Sequence, residues 1–418
     1  MAGEGRKRRG MRALSLDQTR TLPLRQGPVA LLVLMAIAMP LAFSTWSALL
    51  NNFVVERAAF TGVEIGWLHT VREIPGFLAI AIIPILVVMR EQSIALLSLV
   101  TLGLATAVTA WFPTFGGLLA VTLISSVGFH FFEAVYQSLQ LQWLPRDRAP
   151  QVLGWLVAVG SAASLVSYGL LVATWDVFDL GYDTVYLVSG GACVAIAIYC
   201  LAAFPHFEAE EQTKRIVLRR RYWLYYALQF ITGARRQIFV VFAAFMMVEH
   251  FGFEVHQLSA LFLVNYIANM ALAPLMGRGL ARWGERNVLA FEYAGLVFVF
   301  LAYAGVYVFG WPAWVAATLY VLDHLFFSLA FAKRTYFQKI ATLSDIAPTA
   351  AVSFTINHIA AVVLPVSLGY AWIVSPSAVF LFAAFLALVS LLLALLIPRH
   401  PVPGHETIFS GLRASSVE

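Results

Sequence analysis

The sequence predicts an all-α polytopic membrane protein with twelve transmembrane helices. Three observations predict it: the composition, the regular recurrence of apolar runs, and the placement of positive charge. Of 418 residues, 61% are hydrophobic and 12% are charged, roughly half the charged fraction of an average soluble domain. Lipid is therefore the expected solvent for most of the surface.

Apolar runs of about 20 residues recur along the chain, and this is the length at which a helix crosses a bilayer core. The first six runs lie at 28–50, 64–88, 93–112, 115–140, 151–173 and 184–204. The second six lie at 223–248, 256–276, 287–309, 312–333, 348–372 and 376–397. We therefore predict these domains: a basic tail 1–27, a six-helix bundle 28–204, a charged central loop 205–222, a second bundle 223–397 and a tail 398–418.

The placement of Lys and Arg predicts the orientation, because short cytoplasmic loops retain positive residues. With both termini in the cytoplasm, all 27 basic residues fall on the cytoplasmic side except Arg57, Arg72, Arg235 and Arg236. The basic start precedes a full-length span, so it is expected to remain as a cytoplasmic tail. We expect a multi-pass protein of a bacterial cytoplasmic (inner) membrane. Basic residues scattered between spans also argue against a nucleic-acid partner.

The two halves of the chain look like weak copies of each other. The segment LQLQWLPRDRAP at 139–150 parallels FQKIATLSDIAP at 337–348. Both segments fall in equivalent predicted cytoplasmic loops. Such internal similarity is typical of transporters built from two related bundles.

Six plus six spans around a charged loop resemble the major facilitator superfamily. Members often carry a G-x-L-A-D-R-x-G-R-R motif after spans two and eight, and the loop here reads GRGLARWGER. The matching positions, which the resemblance implies form a gating loop, are Gly277, Arg282, Gly284 and Arg286. Ala281 replaces the acidic residue of the motif and Glu285 replaces a basic one, while the first loop, VVMREQS, lacks the motif.

Polar side chains recur at helical spacing in four of the predicted spans. These stripes are Ser44, Ser47 and Asn51 in span one; His130, Glu133, Gln137 and Gln140 in span four; Gln229, Thr232 and Arg236 in span seven; and Tyr320, Asp323, His324 and Ser328 in span ten. Spans one, four, seven and ten line the central cavity in the family that the chain resembles. The resemblance therefore implies one shared pathway for all four stripes.

A charged side chain within the apolar layer has an unfavourable free energy unless it faces a cavity or a partner, so we expect such surroundings for the charged residues of the spans. A guanidinium matches carboxylate or phosphate with two hydrogen bonds. Arg235 or Arg236 is therefore expected to bind an anionic group. The alternative is that these arginines pair with Asp323 or Glu133 and hold the two halves together; adjacent residues cannot share one helix face.

Proton coupling is expected at carboxylates that have a histidine nearby, since buried acids and histidines titrate closest to neutral pH. The candidates are Glu133 with His130, Asp323 with His324, and His358. A mutually satisfied pair, or an interhelical hydrogen bond in the case of His358, is the structural alternative.

Two other groups of intramembrane charges have simpler interpretations. Arg72 and Glu73 precede Pro75 and Gly76, where a local break towards the outer end of span two could expose them to a vestibule. Glu292 is expected to reach the cytoplasmic interface from the start of span nine.

The sequence lacks the phosphate-loop, zinc-protease and hydrolase motifs of common enzymes. We therefore expect no enzyme activity, no cofactor and no resident metal, although a metal remains an alternative substrate. The expected partners are a small-molecule substrate, membrane lipid and a possible proton co-substrate, in a monomer.

We expect a secondary active transporter that moves a small organic anion with proton coupling. The expected substrate-binding residues are Arg235, Arg236, Gln229, Gln137, Gln140, His324 and Asn51. The alternatives are proton-coupled efflux of a lipophilic or cationic compound or a metal, and, in another class, a membrane assembly or sensor protein on the same scaffold.

Overall fold

The structure is a computed structural model that describes residues 27–78, 85, 88–144, 149–207 and 218–410. Within these residues the chain is mainly helical, and Val402 and His405 form an isolated β-bridge. Ten of the described helices are long and apolar enough to cross a membrane. The all-α membrane architecture is therefore confirmed.

Six helices of the first bundle lie in the described residues, and two of them begin at a side-chain cap. Its helices are α1 (Pro28–Ala58), α2 (Gly62–Phe77), α3 (Glu91–Val108), α4 (Phe115–Trp143), α5 (Ala149–Thr174) and α6 (Tyr182–Ala203). Thr61 and Glu64 form a reciprocal cap at the start of α2, and Thr114 accepts a hydrogen bond from the Gly117 N–H at the start of α4.

The second bundle is built from helices with more interruptions. Its helices are α7 (Trp223–Gln237), α8 (Ala244–Glu249), α9 (Val255–Phe309), α10 (Ala313–Ser328), α11 (Ala332–Ile340), α12 (Leu343–Val374) and α13 (Pro376–Ala394). A π-helical segment, Ile238–Ala243, joins α7 to α8, and a 3-10 turn, Leu329–Phe331, joins α10 to α11. Each of these pairs makes a single crossing.

Helix α9 has 55 residues and contains two of the predicted spans. A straight helix of that length would measure about 80 Å, far more than a bilayer core of about 30 Å. Gly284 breaks it, with φ 74° and ψ 167° inside an otherwise helical run. Counting both parts of α9, and α2, of which Gly62–Phe77 is described, the described helices account for the twelve predicted crossings.

Two seams join the bundles: α2 packs against α12, and α5 packs against α9. The α2–α12 seam is a backbone contact, because a Cβ on Gly66 would lie 2.4 Å from the Pro365 carbonyl oxygen. Nearby, the Val366 N–H donates to Thr70 Oγ1 at 3.2 Å. The seams pair the second crossing with the eleventh and the fifth with the eighth, which is the arrangement expected of two related six-helix bundles.

The bundles also meet at the predicted outer face. Asn52 Nδ2, at the end of α1, donates to the Phe253 carbonyl oxygen at 2.6 Å. His256 Nδ1 lies 3.0 Å from an Asp176 carboxylate oxygen, and Asp176 belongs to the loop between α5 and α6. These contacts close the outer ends of the bundles against each other.

At the opposite face, part of the predicted C-terminal tail packs on the second bundle. Tyr336 donates its hydroxyl proton to the Glu406 carbonyl oxygen at 2.6 Å, and the Ile408 N–H donates to the Leu396 carbonyl oxygen at 2.9 Å. The predicted N-terminal tail and most of the central loop lie outside the described residues.

Both cysteines of the chain, Cys193 and Cys200, are free and lie on α6. Each is fully buried, against the interior of the first bundle. Their burial supports the prediction that they serve as small apolar core residues.

Candidate functional site

Glu73 is the centre of a polar cluster between the two bundles. It lies eleven residues after the start of α2, or about 17 Å along the helix axis, which is near the middle of an apolar layer of about 30 Å. Its side chain is buried. Helix α2 continues through Pro75, so the vestibule predicted for Arg72 and Glu73 is wrong: both lie at the bundle interface.

Three side chains contact the Glu73 carboxylate directly. Arg72 Nη2 lies 2.5 Å from Oε1, while Arg236 Nη2 and His358 Nε2 each lie 3.5 Å from Oε2. Arg236 comes from α7 and His358 from α12, so two of the three contacts cross from the second bundle to the first. The cluster therefore joins the halves at mid-depth.

Two histidines face this carboxylate with a defined ring orientation. His130 Nδ1 lies 3.0 Å from the Ser126 carbonyl oxygen, and His358 Nδ1 lies 2.8 Å from that of Phe354. A carbonyl only accepts, so each Nδ1 carries the hydrogen and each Nε2 is left to the cluster.

Gly76 makes room for the two rings. A Cβ at this position would lie 2.5 Å from the His358 ring and 2.6 Å from His130 Nε2. The two ring centroids are 5.5 Å apart. Glycine at position 76 therefore allows histidines from opposite bundles to meet over α2.

The ligand atoms of Glu73, His130 and His358 lie within 4.8 Å of one another, a donor set that suits a transition metal. Two guanidiniums, those of Arg72 and Arg236, contact the same carboxylate. Their charge opposes a divalent cation at short range and favours an anion. The cluster is therefore better suited to a negatively charged ligand than to a metal.

A small pocket lies beside Arg72 in the first bundle. Its lining comes from α1, α2 and α4 and consists of Phe43, Trp46, Arg72, Thr122, Ser125, Ser126 and Phe129. Phe43 and Phe129 stack with ring centroids 4.4 Å apart. The pocket thus combines aromatic faces, hydroxyl groups and one guanidinium.

Arg235 faces away from this cluster. Its Nη2 donates to Glu292 Oε1 at 3.0 Å, with side chains only 1% and 0% exposed, and its guanidinium lies 4.8 Å from the Tyr293 ring centroid. Its partner is therefore neither Asp323 nor Glu133. The prediction that Glu292 reaches the cytoplasmic interface is wrong, because the buried guanidinium compensates its charge inside the bundle.

Further polar groups extend this buried network within the second bundle. Lys333 Nζ donates to Thr232 Oγ1 at 2.5 Å. Asp323 is buried, and its Oδ2 has no hydrogen-bond partner among the described residues. Arg235, Glu292, Lys333 and Asp323 thus place charges of both signs in an apolar interior, where water or a proton is needed to complete their partners.

The contacts of His130 lie elsewhere than at Glu133, and the proton-coupling role predicted for these two residues stays a prediction. His130 contacts Ser126 and faces Glu73 and His358, whereas Glu133 lies one turn further along α4 and is half-buried. Glu73, the partner that the two histidines share, was not predicted from the sequence. Its depth within the predicted span 64–88 was the available signal, since Glu73 lies nine positions, or about 14 Å, from the start of that span and thus near mid-membrane.

The other predicted binding residues lie outside the Glu73 cluster. Gln229 Nε2 donates to the Tyr225 hydroxyl at 2.9 Å. Gln137 is exposed and Gln140 half-buried on α4. Asn51 is buried near the outer end of α1, and the half-buried His324 ring lies 6.2 Å from that of Phe239.

Of the predicted gating-loop residues in α9, Gly277 and Arg282 lie before the break, Gly284 forms it and Arg286 lies after it. Next to the break, the buried Glu285 carboxylate lies 2.7 Å from Lys339 Nζ on α11. The acid that replaces a basic residue of the family motif therefore has its own basic partner.

A second ionic group lies between the end of the central loop and the start of α12. Arg219 and Arg221 donate to the Asp345 carboxylate at 3.0 and 2.9 Å, and Tyr222 donates to it at 2.9 Å. These donors, Arg219 first, hold the pKa of Asp345 well below its usual range. The contact ties the loop to the second bundle.

Two helical bundles that meet around a buried polar cluster at mid-membrane are typical of membrane transporters of small solutes. The Major Facilitator Superfamily model matches residues 28–344. The chain belongs to this family.

Solved structures show the same fold at low sequence identity. The nucleoside transporter NupG (D323A mutant) is similar with a TM-score of 0.70 and 14% identity over 88% of this chain and 98% of that one. A bacterial homologue of the human lysosomal transporter Spinster, in an inward-facing and occupied conformation, has a TM-score of 0.65 and 10% identity over 88% and 95%. No curated protein sequence matches the chain.

Proposed function

We propose that this transporter carries a small organic anion by alternating access and that Arg236 binds the anionic group. The observation that carries the proposal is the position of Arg236, a guanidinium at mid-depth between the bundles. Its side chain is 32% exposed, whereas that of Arg235 is 1% exposed. Arg236 is therefore the member of the pair that a solute can reach.

The contact of Arg236 with Glu73 leaves capacity for a ligand. Its Nη2 lies 3.5 Å from the carboxylate, longer than the 2.7–2.9 Å or so of a strong charge-assisted hydrogen bond. A substrate carboxylate can take two parallel hydrogen bonds from the same guanidinium. The contacts that close the outer ends of the two bundles support entry or exit of that substrate from the cytoplasmic side.

Proton coupling remains part of the proposal. Glu133 and Asp323 are carboxylates at mid-depth, and His130 and His358 face the cluster. We also propose that the protein works as a monomer in a bacterial cytoplasmic membrane with both termini cytoplasmic. The basic loops support this orientation.

An uncharged aromatic solute is the second candidate. The stacked Phe43 and Phe129 rings border a pocket that also contains the Thr122 and Ser125 hydroxyls. Aromatic faces with a few polar groups suit a planar ring. The similarity in fold to a nucleoside transporter is compatible with such a solute.

Solute panels in proteoliposomes test the two candidates. Radiolabelled acetate, lactate, benzoate, succinate, uridine, adenosine and tetraphenylphosphonium would be offered with and without an imposed proton gradient. We expect transport of at least one organic anion, and loss of its transport in Arg236→Gln.

Arg278→Gln is the matched control, because Arg278 is exposed on α9 away from the cluster. It should transport like the unmodified protein. Anion transport that survives Arg236→Gln would overturn the assigned site. Transport of nucleosides alone would favour the second candidate.

A further inference from the structure

We infer that the Glu73 carboxylate occupies the place of the transported anion in the empty site, and that a proton on Glu73 releases that place. The inference rests on the proposed function, since it assumes that the substrate's anionic group binds Arg236. Beyond that function, it assigns two roles to Glu73: its carboxylate competes with the substrate for Arg236, and it carries the proton that is coupled to the solute.

The geometry gives the carboxylate of Glu73 the surroundings of a bound anion. Arg72, Arg236 and His358 contact it, and His130 Nε2 faces it. These groups come from four helices, α2, α4, α7 and α12. A substrate carboxylate that binds Arg236 needs the guanidinium that Glu73 contacts, so the two anions exclude each other.

The cluster's charge predicts how the exclusion is lifted. The charged and titratable groups on the helices around the site are His69, Arg72, His130, Glu133, Arg236 and His358. With neutral histidines, the two guanidiniums balance Glu73 and Glu133. A proton on Glu73 leaves one positive charge without a counter-charge, and a monovalent anion restores the balance.

The proton step is chemically simple. A proton from water binds one Glu73 oxygen, which converts an acceptor-only carboxylate into a carboxylic acid that no longer forms ion pairs. Arg236 then turns to the solute anion. When anion and proton leave on the other side, Glu73 returns to its cationic partners. One proton therefore accompanies one monoanion in the same direction, with no net charge moved.

The same change loosens the contact between the bundles. Glu73 belongs to the first bundle, and Arg236 and His358 belong to the second. Through its ion pair with Arg236, ionised Glu73 therefore holds the halves together at mid-depth in the absence of solute. A ligand or proton that takes away this contact shifts the equilibrium between conformations, because it acts differently on the two states.

Glu73→Gln mimics the protonated carboxyl at the same size and tests both consequences. In proteoliposomes, counterflow of radiolabelled lactate or benzoate should persist, while accumulation driven by an imposed proton gradient should fall at least tenfold. Glu64→Gln, the same substitution at the outer end of α2, is the control and should keep both activities.

A readout without solute covers the case in which neither probe is carried. Thr70→Cys places a thiol in the α2–α12 seam, and its labelling by a maleimide should rise severalfold from pH 8 to pH 5.5. The reactivity of a thiol with maleimide itself changes with pH. The labelling rate of the folded protein is therefore divided by that of the unfolded protein at the same pH. In the Glu73→Gln background, normalised labelling should be high at both pH values.

The inference would be overturned if the normalised labelling of Thr70→Cys changed with pH to the same extent in the Glu73→Gln background as in the protein with Glu73. Gradient-driven accumulation that survives in Glu73→Gln would also overturn it. Failure of the proposed function has a different signature, namely anion transport that survives in Arg236→Gln.

Discussion

Arg235 and Glu292 form an ion pair 3.0 Å long in the interior of the second bundle. Next to Arg235 in sequence, Arg236 points to the other bundle. Two adjacent arginines therefore have separate tasks, one structural and internal, the other at the interface. Substitutions of Arg235 should consequently affect stability, and substitutions of Arg236 should affect solute binding.

Removal of one partner of the internal pair should destabilise the fold. Glu292→Gln leaves Arg235 buried without a counter-charge, which costs about 3–5 kcal/mol for a buried pair. We expect a clear drop in Tm during thermal unfolding in detergent.

The double variant Arg235→Met with Glu292→Leu should recover part of that loss, because apolar replacements remove both desolvated charges. A Tm equal to that of the unmodified protein in Glu292→Gln would show that water already compensates the pair.

Gly284 should not tolerate a side chain. Its φ of 74° and ψ of 167° lie in a region essentially restricted to glycine, so Gly284→Ala should cost about 1–3 kcal/mol or straighten the break in α9. Thermal unfolding and initial transport rates measure both effects.

Gly277→Ala is the matched control on the same helix. It has helical backbone geometry, and a Cβ there would meet no atom within 4 Å. This variant should be at least as stable as the unmodified protein, since alanine favours helix. Equal behaviour of the two alanine variants would argue against a required break at Gly284.

The Asp345 contact should make stability depend on pH only in acid. Because Arg219 and Arg221 lower the pKa of Asp345 in the folded protein, the stabilisation is fully present above the unfolded pKa of about 3.9. It is lost as the pH falls through the lower folded pKa. Asp345→Asn should therefore lower Tm at pH 7, with a difference that shrinks below about pH 4.

Salt provides the check on that contact. The Arg219 side chain is 54% exposed, so high ionic strength should weaken its attraction to Asp345. The Tm difference between Asp345→Asn and the unmodified protein should shrink at 1 M salt. A difference that is constant across pH would point to packing instead of charge.

The α2–α12 seam should respond to side-chain size. Gly66→Val adds atoms where even a Cβ would meet the Pro365 carbonyl oxygen at 2.4 Å, so it should force the outer ends of the bundles apart. We expect faster labelling of Thr70→Cys and a lower transport rate. Gly154→Ala, where a Cβ would meet no atom within 4 Å, should change neither.

The sequence predicts the spans and their grouping well, because hydrophobic length and charge placement are local properties. It also indicates that Arg235 and Arg236 cannot share one face, since neighbouring residues point about 100° apart on a helix. Spans eight and nine are predicted as two separate apolar runs. In the structure they form one helix, α9, which is interrupted at Gly284.

The partners of these charges could not be predicted in the same way. Glu73 meets His130, Arg236 and His358 only because three other helices pack against α2. Glu292 lies close to the start of its span, and only the tertiary structure, which brings α7 and α9 within reach of each other's side chains, makes it a buried partner of Arg235. Such contacts depend on tertiary packing, which a single sequence does not show.

Because Cys193 and Cys200 are buried, neither native cysteine is accessible to thiol reagents in this structure. Thiol reagents need an accessible thiolate, and both native sulfurs lie inside the first bundle. A single cysteine introduced in a seam or at a helix end would then be the one reactive position among the described residues. Movements of the two bundles can therefore be followed in the otherwise native chain.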